Sequence, residues 1–212
     1  MKTLFVDTSR KSLSIALADD DKLLFVSNVE SHSKHSNYLL NEIKNILTMN
    51  NININEIDNY VVLNGPGSFT GVRVGITVCK TLAWTLSKKL YVINNLEALH
   101  LHAKNDIVIA IIPDKKETAY VGIYDDKKME DYLNIYDSRL DIYNKNITII
   151  NMEENDFSKS LLEKLESQNN NVKLLKIEDY DYQLLINNVL KLENINPHLA
   201  KPLYMKKIDA EK

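Results

Sequence analysis

The sequence predicts an α/β protein built from two related halves. Apolar stretches at 4–6, 13–17 and 23–26 are separated by acidic, turn-prone residues, which is typical of an antiparallel meander. Helical stretches and further short strands follow in alternation. The order of strand, acidic turn, strand and strand occurs around Asp7 and again around Asp114, which indicates an internal repeat.

The first half, placed at residues 1–104, continues from the meander into a helix at 36–49. Apolar side chains recur there at helical spacing, with Leu40 beside them. The residues predicted to share its inner face are Leu39, Ile43, Ile46 and Leu47. The remaining elements predicted for this half are a strand at 60–63, a helix over 70–88, a strand at 91–93 and a helix at 96–103 capped by Asn95.

The second half, placed at residues 105–212, is predicted to be smaller and to restart the same plan. An apolar strand at 107–112 leads into an acidic turn at 113–116. Ala119, Val121 and Ile123 then alternate with more polar residues. The later elements predicted are strands at 129–136, 148–150 and 172–175 and helices at 158–166 and 182–192.

The composition bounds the class of protein. With 212 residues, 44% of them apolar, the chain can bury a sizeable core without metals. A net charge of −3 gives no field for binding nucleic acid unaided. The single cysteine, Cys79, excludes an intramolecular disulfide and is expected to be a small buried hydrophobe. No leader and no membrane-spanning stretch are apparent, so a cytoplasmic location is expected.

Four of the five glycines lie in NGPGSFTGVRVG, from Asn64 to Gly75. A glycine-rich turn between a strand and a helix is a typical anion-binding site. The Walker phosphate loop, however, requires a lysine and then a serine or threonine after its last glycine, and here Gly71 is followed by Val72 and Arg73, so that motif is rejected. A nucleophile elbow also fails, because Thr70 stands where that motif needs glycine. Ser68 or Thr70 is more simply a helix cap.

The helix after this loop carries Gly71, Gly75 and Cys79 on one face. Two helical glycines cost about 1 kcal/mol each relative to alanine, so a close backbone approach is the expected compensation. A second apolar stripe means that more than one side must be covered; its residues are Val74, Val78 and Leu82. The neighbour over the glycines could be the 36–49 helix or a helix of another chain.

The stretch GPGSFTGVRVG resembles the signature of the TsaB (YeaZ) proteins, the small partners of bacterial tRNA threonylcarbamoyladenosine transferase. LFVDTS at the N-terminus is similar to the first strand and turn of that family. His35, with the leucines after it, resembles the first-helix motif, and KPLYMKK at 201–207 resembles the C-terminal tail. The likeness is strong over the first half and thin from 112 to 197, where this chain keeps only a version of the family's acidic turn, at 114–120, that is one residue shorter.

The resemblance implies an actin-like, sugar-kinase-like (ASKHA, ribonuclease H-like) fold with two lobes of mixed sheets and flanking helices. It also implies pairing with a catalytic TsaD-like subunit through the helices that follow the meander and the glycine loop, and self-association through the same surface. With a TsaE-like ATPase, such complexes make N6-threonylcarbamoyladenosine (t6A) at adenosine 37 of tRNAs that read ANN codons. The small partner is viewed as non-catalytic.

If this chain bound or hydrolysed a nucleotide by itself, the candidate residues would lie in two acidic turns, one with Asp7, Thr8 and Ser9 and one with Asp114. Actin-like ATPases use such turns around magnesium and phosphates. No glycine lies between Asp114 and Gly122, and none follows, so a complete nucleotide site is not expected. No cofactor of its own is expected, and ATP with magnesium at an interface stays open.

The histidine spacing fits no metal motif and no zinc peptidase, so neither a metal site nor glycoprotease activity is expected. The leading hypothesis is an interaction protein that binds a TsaD-like subunit, works with a TsaE-like ATPase, meets tRNA only through the complex and has no membrane partner. The expected interface residues are His35, Leu39, Ile43, Gly71, Val74, Gly75, Val78, Cys79 and Leu82. The alternatives left open are a stand-alone actin-like kinase or ATPase and a purely homodimeric regulator.

Overall fold

The computed structural model describes residues 1–30, 35–153 and 155–206. The chain forms two compact units. The first unites Met1–Asn95 with Asp181–Leu203, and the second holds Leu96–Tyr180 and the described residues after Leu203. This division differs from the predicted one at residue 104, because a late segment of the chain returns to the first unit, where the rings of Tyr182 and Phe5 lie 5.4 Å apart.

The first unit is built on a five-stranded mixed sheet. Its strands are β1 (Lys2–Asp7), β2 (Ser12–Asp19), β3 (Lys22–Glu30), β4 (Ile57–Leu63) and β5 (Lys89–Ile93). Their order is β3-β2-β1-β4-β5, with the first three antiparallel and β1, β4 and β5 parallel. The predicted meander is therefore confirmed.

The second unit repeats this sheet. Its strands are β6 (Ile107–Lys115), β7 (Thr118–Tyr124), β8 (Lys128–Asn134), β9 (Asn146–Asn151) and β10 (Asn171–Lys176). The order β8-β7-β6-β9-β10 has the same sequence of antiparallel and parallel pairings as the first sheet. The internal repeat predicted from the two acidic turns is confirmed, and two mixed sheets with flanking helices are the arrangement of the actin-like fold.

Within the described ranges, five α-helices accompany the sheets: α1 (His35–Met49), α2 (Phe69–Thr85), α3 (Asn95–His100), α4 (Asp156–Ser167) and α5 (Tyr182–Val189). Helix α2 begins where Ser68 accepts a hydrogen bond from the Gly71 amide at 3.2 Å, so the predicted cap is confirmed. Asn95, predicted as a cap, is instead the first residue of α3, and its side chain turns to the glycine loop.

The core of the first unit lies between its sheet and the helices α1 and α2. The predicted inner face of α1 is buried against Leu4, Val6 and Tyr60, among other residues. Sheet residues alternate in direction, so Phe5 points to the opposite side, where α5 supplies Tyr182. Helix α4 closes a separate core in the second unit through Phe157 and two leucines.

The second acidic turn differs from the prediction. Strand β6 runs on to Lys115, and the tight turn lies at residues 116–117. Val6 of β1 pairs with the last but one residue of its parallel neighbour β4, and Ala110 of β6 pairs with the last but one residue of its parallel neighbour β9. In this register Asp7 corresponds to Ile111, so Asp114 lies three residues farther along its hairpin and is not the structural counterpart of Asp7.

Among the described residues, no helix is long and apolar enough to cross a membrane.

Candidate functional site

The glycine loop at 64–68, which leads into α2, packs against the turn that follows β1. The Ser68 amide donates a hydrogen bond to the Ser9 carbonyl at 2.7 Å, and Thr8 Oγ1 donates to the Gly71 carbonyl at 2.7 Å. A Cβ at Gly67 would lie 2.5 Å from the Ser9 carbonyl oxygen. Glycine is therefore required at position 67 for the two backbones to approach each other.

Glycine is also required at position 75, near the start of α2, because another segment packs closely against it. A Cβ there would collide with Thr8 Oγ1 and would lie 3.5 Å from Val62. Gly71, Gly75 and Cys79 are all buried. The expectation that a helix of another chain covers this flank is therefore wrong, because the protein's own β1 turn and β4 already fill it.

Gly65 leaves room for the backbone of Leu203, which packs against the start of the glycine loop. Its φ is +103°, and a Cβ would lie 3.2 Å from the Leu203 carbonyl oxygen. The neighbouring residue, Asn64, accepts a hydrogen bond from the Leu203 amide at 2.8 Å and donates from its own amide to Ile93 at 3.1 Å. The start of the glycine loop thus fixes both the tail and the end of β5.

The Asp7 carboxylate is buried and fully engaged by its own chain. Oδ1 accepts hydrogen bonds from the Ser9 amide at 2.7 Å and from Ser9 Oγ at 2.6 Å. Oδ2 accepts from Arg10 Nε at 2.9 Å. These hydrogen bonds tie the carboxylate to the backbone and side chains of the turn that follows β1.

Asn95 joins the same buried network to the glycine loop. Its Nδ2 donates to Ser9 Oγ at 2.5 Å, and its Oδ1 accepts from the Gly65 amide at 3.1 Å. Sequence reasoning missed the roles of Arg10 and Asn95. The only signal for Arg10 was a cation three residues after an acid in a short turn, and nothing local distinguished Asn95 from a helix cap.

Asp114, on the β6–β7 hairpin, also has its own partners. Tyr132 donates to its Oδ2 at 2.5 Å, and Lys206 Nζ lies 2.9 Å from the same oxygen. Burial opposes the charged form, but these two hydrogen bonds outweigh it and lower the pKa of Asp114. The carboxylate therefore anchors the segment that follows Leu203.

The predicted interface residues divide into three groups. Leu39 and Ile43 are buried in the core with the three small residues of α2, so these five are not on the surface. Burial also raises the pKa of the Cys79 thiol to about 12, which makes it an inert core residue, as predicted. His35 begins α1, but its side chain lies outside the described residues. The third group, Val74, Val78 and Leu82, is half-buried at the edge of the core.

An apolar groove of about 350 Å³ opens between α1 and α2, and we call it the α1–α2 groove. It is lined by Ser36, Leu40, Phe69, Thr70, Arg73, Val74, Thr77 and Val78. Leu40 is 56% exposed and Phe69 is 51% exposed. The two helices predicted to bind a partner thus do present apolar surface, which combines the predicted residues Val74 and Val78 with neighbours such as Leu40 and Phe69.

Within the described ranges, no three His, Cys, Asp or Glu side chains come close enough to hold a metal ion.

Comparison with known proteins gives the family. The family model described as "TsaD: tRNA N6-adenosine threonylcarbamoyltransferase" matches residues 28–142, more than half of the chain. The tRNA threonylcarbamoyladenosine biosynthesis protein TsaB of Bacillus subtilis is 30% identical over 124 residues, 58% of this chain and 54% of that protein. A tRNA N6-adenosine threonylcarbamoyltransferase of Brachyspira hyodysenteriae is 30% identical over 126 residues, 50% of this chain and 37% of that protein. The chain spans about half the length of the curated TsaB relatives it matches first.

Solved structures agree over nearly the whole chain. YeaZ from Pseudomonas aeruginosa superposes with a TM-score of 0.70 at 20% identity, over 96% of this chain and 99% of that one. Another Pseudomonas aeruginosa structure, described as similar to peptidase YEAZ, gives 0.75 at 20% identity, over 97% and 99%. At 20% identity the structural similarity shows the fold, whereas the family is shown by the sequence matches. The chain belongs to the TsaD and TsaB family of tRNA threonylcarbamoyladenosine proteins, as a member of its TsaB (YeaZ) group.

Proposed function

We propose that this chain is a non-catalytic partner subunit for t6A formation, which binds a TsaD-like catalytic subunit through the α1–α2 groove. Membership of the TsaB group supports the process, since its curated relatives are named for biosynthesis of the modified nucleoside. The lack of a catalytic role is supported by the Asp7 carboxylate, all of whose recorded hydrogen-bond donors belong to its own turn.

The observation that carries the proposal is apolar surface on two adjacent helices that pack on a complete core. Leu40 and Phe69 expose more than half of their surface on either side of a groove whose floor includes Val74 and Val78. Exposed aromatic and aliphatic side chains gathered in one concave patch are typical of protein-binding sites. The buried small residues beneath the groove keep α2 close to β1 and β4 and so fix its position.

The other components enter through the TsaD-like subunit. We place a TsaE-like ATPase and the tRNA in the assembled complex, in the cytoplasm, and any ATP with magnesium in the other subunits or at their shared interface. The α1–α2 groove is also the surface through which two isolated copies would associate. Homodimer formation and binding of the catalytic subunit would therefore exclude each other.

A matched pair of substitutions on α1 tests the site. Leu40→Asp places a charge in the groove, whereas Met49→Asp changes an apolar residue that is 68% exposed at the end of the same helix. Desolvating a new carboxylate is expected to weaken pairing with the TsaD-like subunit of the same organism by about 30-fold or more, or about 2 kcal/mol. Met49→Asp should leave the Kd unchanged. Both can be measured by calorimetry.

The functional test is reconstitution of the modified nucleoside. The TsaD-like and TsaE-like subunits are expected to form t6A in tRNA only when this chain is added, and poorly with the Leu40→Asp variant. Modification that proceeds equally without the chain would refute the role. Normal pairing by the folded Leu40→Asp variant would refute the groove as the binding site.

A further inference from the structure

The chain contains a single Asn–Gly dipeptide, Asn64–Gly65, at the start of the glycine loop. An asparagine side chain can be attacked by the backbone nitrogen of the next residue, and glycine hinders this attack least because it has no Cβ. A bond then forms between the Gly65 nitrogen and Asn64 Cγ, and the side-chain nitrogen leaves as ammonia, taking the proton of the Gly65 amide. Water opens the cyclic imide to aspartate or isoaspartate, so the net reaction is hydrolysis of the side-chain amide.

Hydrogen bonds hold the backbone on both sides of the peptide group that joins Asn64 to Gly65. The Asn64 amide donates to the Ile93 carbonyl at 3.1 Å, and the Asn64 carbonyl accepts from the Leu203 amide at 2.8 Å. The Gly65 amide donates to Asn95 Oδ1 at 3.1 Å, and the Gly65 carbonyl accepts from the Asn95 amide at 2.8 Å. The attack requires this peptide group to turn, so the folded chain opposes the reaction.

The side chain of Asn64 is held as well. Its Nδ2 donates to the Lys201 carbonyl at 3.3 Å. Its Oδ1 is buried, and no donor among the described residues reaches it. Negative charge gathers on this oxygen when the nitrogen attacks, and a buried oxygen without a donor leaves that charge unstabilised. The segment 201–203, called the docked tail below, therefore restrains both the side chain and the backbone of Asn64.

We propose that Asn64 is a deamidation site which the docked tail keeps closed. The tail lies at the surface, where Lys201 is exposed and Leu203 is half-buried, whereas Ile93 and Asn95 are buried. Segments with few buried contacts open at the lowest free energy, so the tail is released before the buried partners are. Its release frees the carbonyl and the side chain of Asn64 together and leaves Asn95 to hold the Gly65 amide.

The products of the reaction cannot restore the docked tail. Aspartate at position 64 has no N–H to donate to the Lys201 carbonyl, and it places a negative charge beside that oxygen. Isoaspartate in addition lengthens the backbone by one atom between the amide that binds Ile93 and the carbonyl that binds Leu203. Because the hydrolysis is irreversible, deamidation at this site records that the tail has been released.

The rate of deamidation in the folded chain tests the proposal. Peptide mass spectrometry follows conversion of Asn64 in mildly alkaline buffer. Leu203→Pro removes the amide that donates to Asn64, and Met205→Pro makes the same change at an amide with no backbone acceptor within the described ranges. Losing one hydrogen bond should raise the rate at least about fivefold in Leu203→Pro and leave the control within about twofold of the unmodified chain. Equal rates in the three folded proteins would overturn the proposal.

Hydrogen exchange of the unmodified chain gives a second test, which also serves if Leu203→Pro does not fold. The factor by which folding slows deamidation, relative to the chain unfolded in urea, should match the protection of the Leu203 amide. It should be well below the protection of amides in β4, which lies between β1 and β5. A factor equal to the protection of β4 would mean that the reaction waits for global unfolding. That result, or a folded chain that deamidates as fast as the unfolded one, would overturn the proposal.

Discussion

Replacing Gly75 with alanine is expected to lower the free energy of unfolding by up to about 2 kcal/mol, although alanine is the better helix former. The new Cβ would collide with Thr8 Oγ1 in a packed core, and overpacking of this kind costs about 1–3 kcal/mol. The helix propensity of alanine returns about 1 kcal/mol at most. Gly75→Leu is too large for the site, so we expect it to prevent folding rather than pairing alone.

A double-mutant cycle isolates the collision. Thr8→Ala removes Oγ1 and its hydrogen bond to Gly71, and the remaining neighbours of a Cβ at position 75 lie at 3.5 Å or more. In that background Gly75→Ala should be neutral or stabilising, as helix propensity predicts. Thr81→Leu, on the exposed side of α2, serves as the size control. The free energy of unfolding of each variant is measured by urea denaturation. If Gly75→Ala destabilises the Thr8→Ala variant as much as the unmodified chain, the collision is refuted.

Asp7→Asn is expected to cost about 3 kcal/mol of stability. The substitution removes the charge that holds Arg10 and disturbs the hydrogen bonds from Ser9, all at a position with no exposed surface. Removing the buried carboxylate of an ion pair is costly even when its cationic partner, like Arg10, is partly exposed. Chemical denaturation with Asp21→Asn, an exposed residue of the next turn, provides the control and should show no change.

The same variant separates anchoring from catalysis. If Asp7 is a structural anchor, Asp7→Asn lowers stability, and titration with ATP and magnesium shows no binding by either the isolated unmodified chain or the variant. Binding by the unmodified chain that the variant lost at unchanged stability would show that the turn holds a nucleotide instead.

The sequence predicts the fold well because hydrophobic periodicity decides it locally. The helical spacing of Leu39 and Ile43 states which face of α1 is buried. The alternation in β2 is less informative, because Ser14 and Ala16 are buried as well as the apolar residues between which they lie. The repeat of strand, acidic turn, strand and strand was enough to predict a second half on the same plan, but not the strand order of its sheet. Element ends and the grouping of α5 with the first unit depend on tertiary packing, which periodicity does not encode.

The candidate site was predicted less well, for a physical reason. The spacing of glycines indicates that another segment packs closely against the helix, but it does not identify that segment. Here the close neighbours are Thr8 and Ser9 of the same chain. Apolar helix positions such as Leu39 and Leu40 look alike in sequence, yet one is buried and the other lines the groove. Only the direction of each side chain separates core from interface.

Hydrogen–deuterium exchange with and without the TsaD-like subunit tests the central claim most directly. Binding at the α1–α2 groove should slow exchange in α1 and along Phe69–Thr85, with little change in β6–β10 of the second unit. Exchange that slows only in the second unit, while both helices exchange as in the free chain, would contradict binding at the α1–α2 groove.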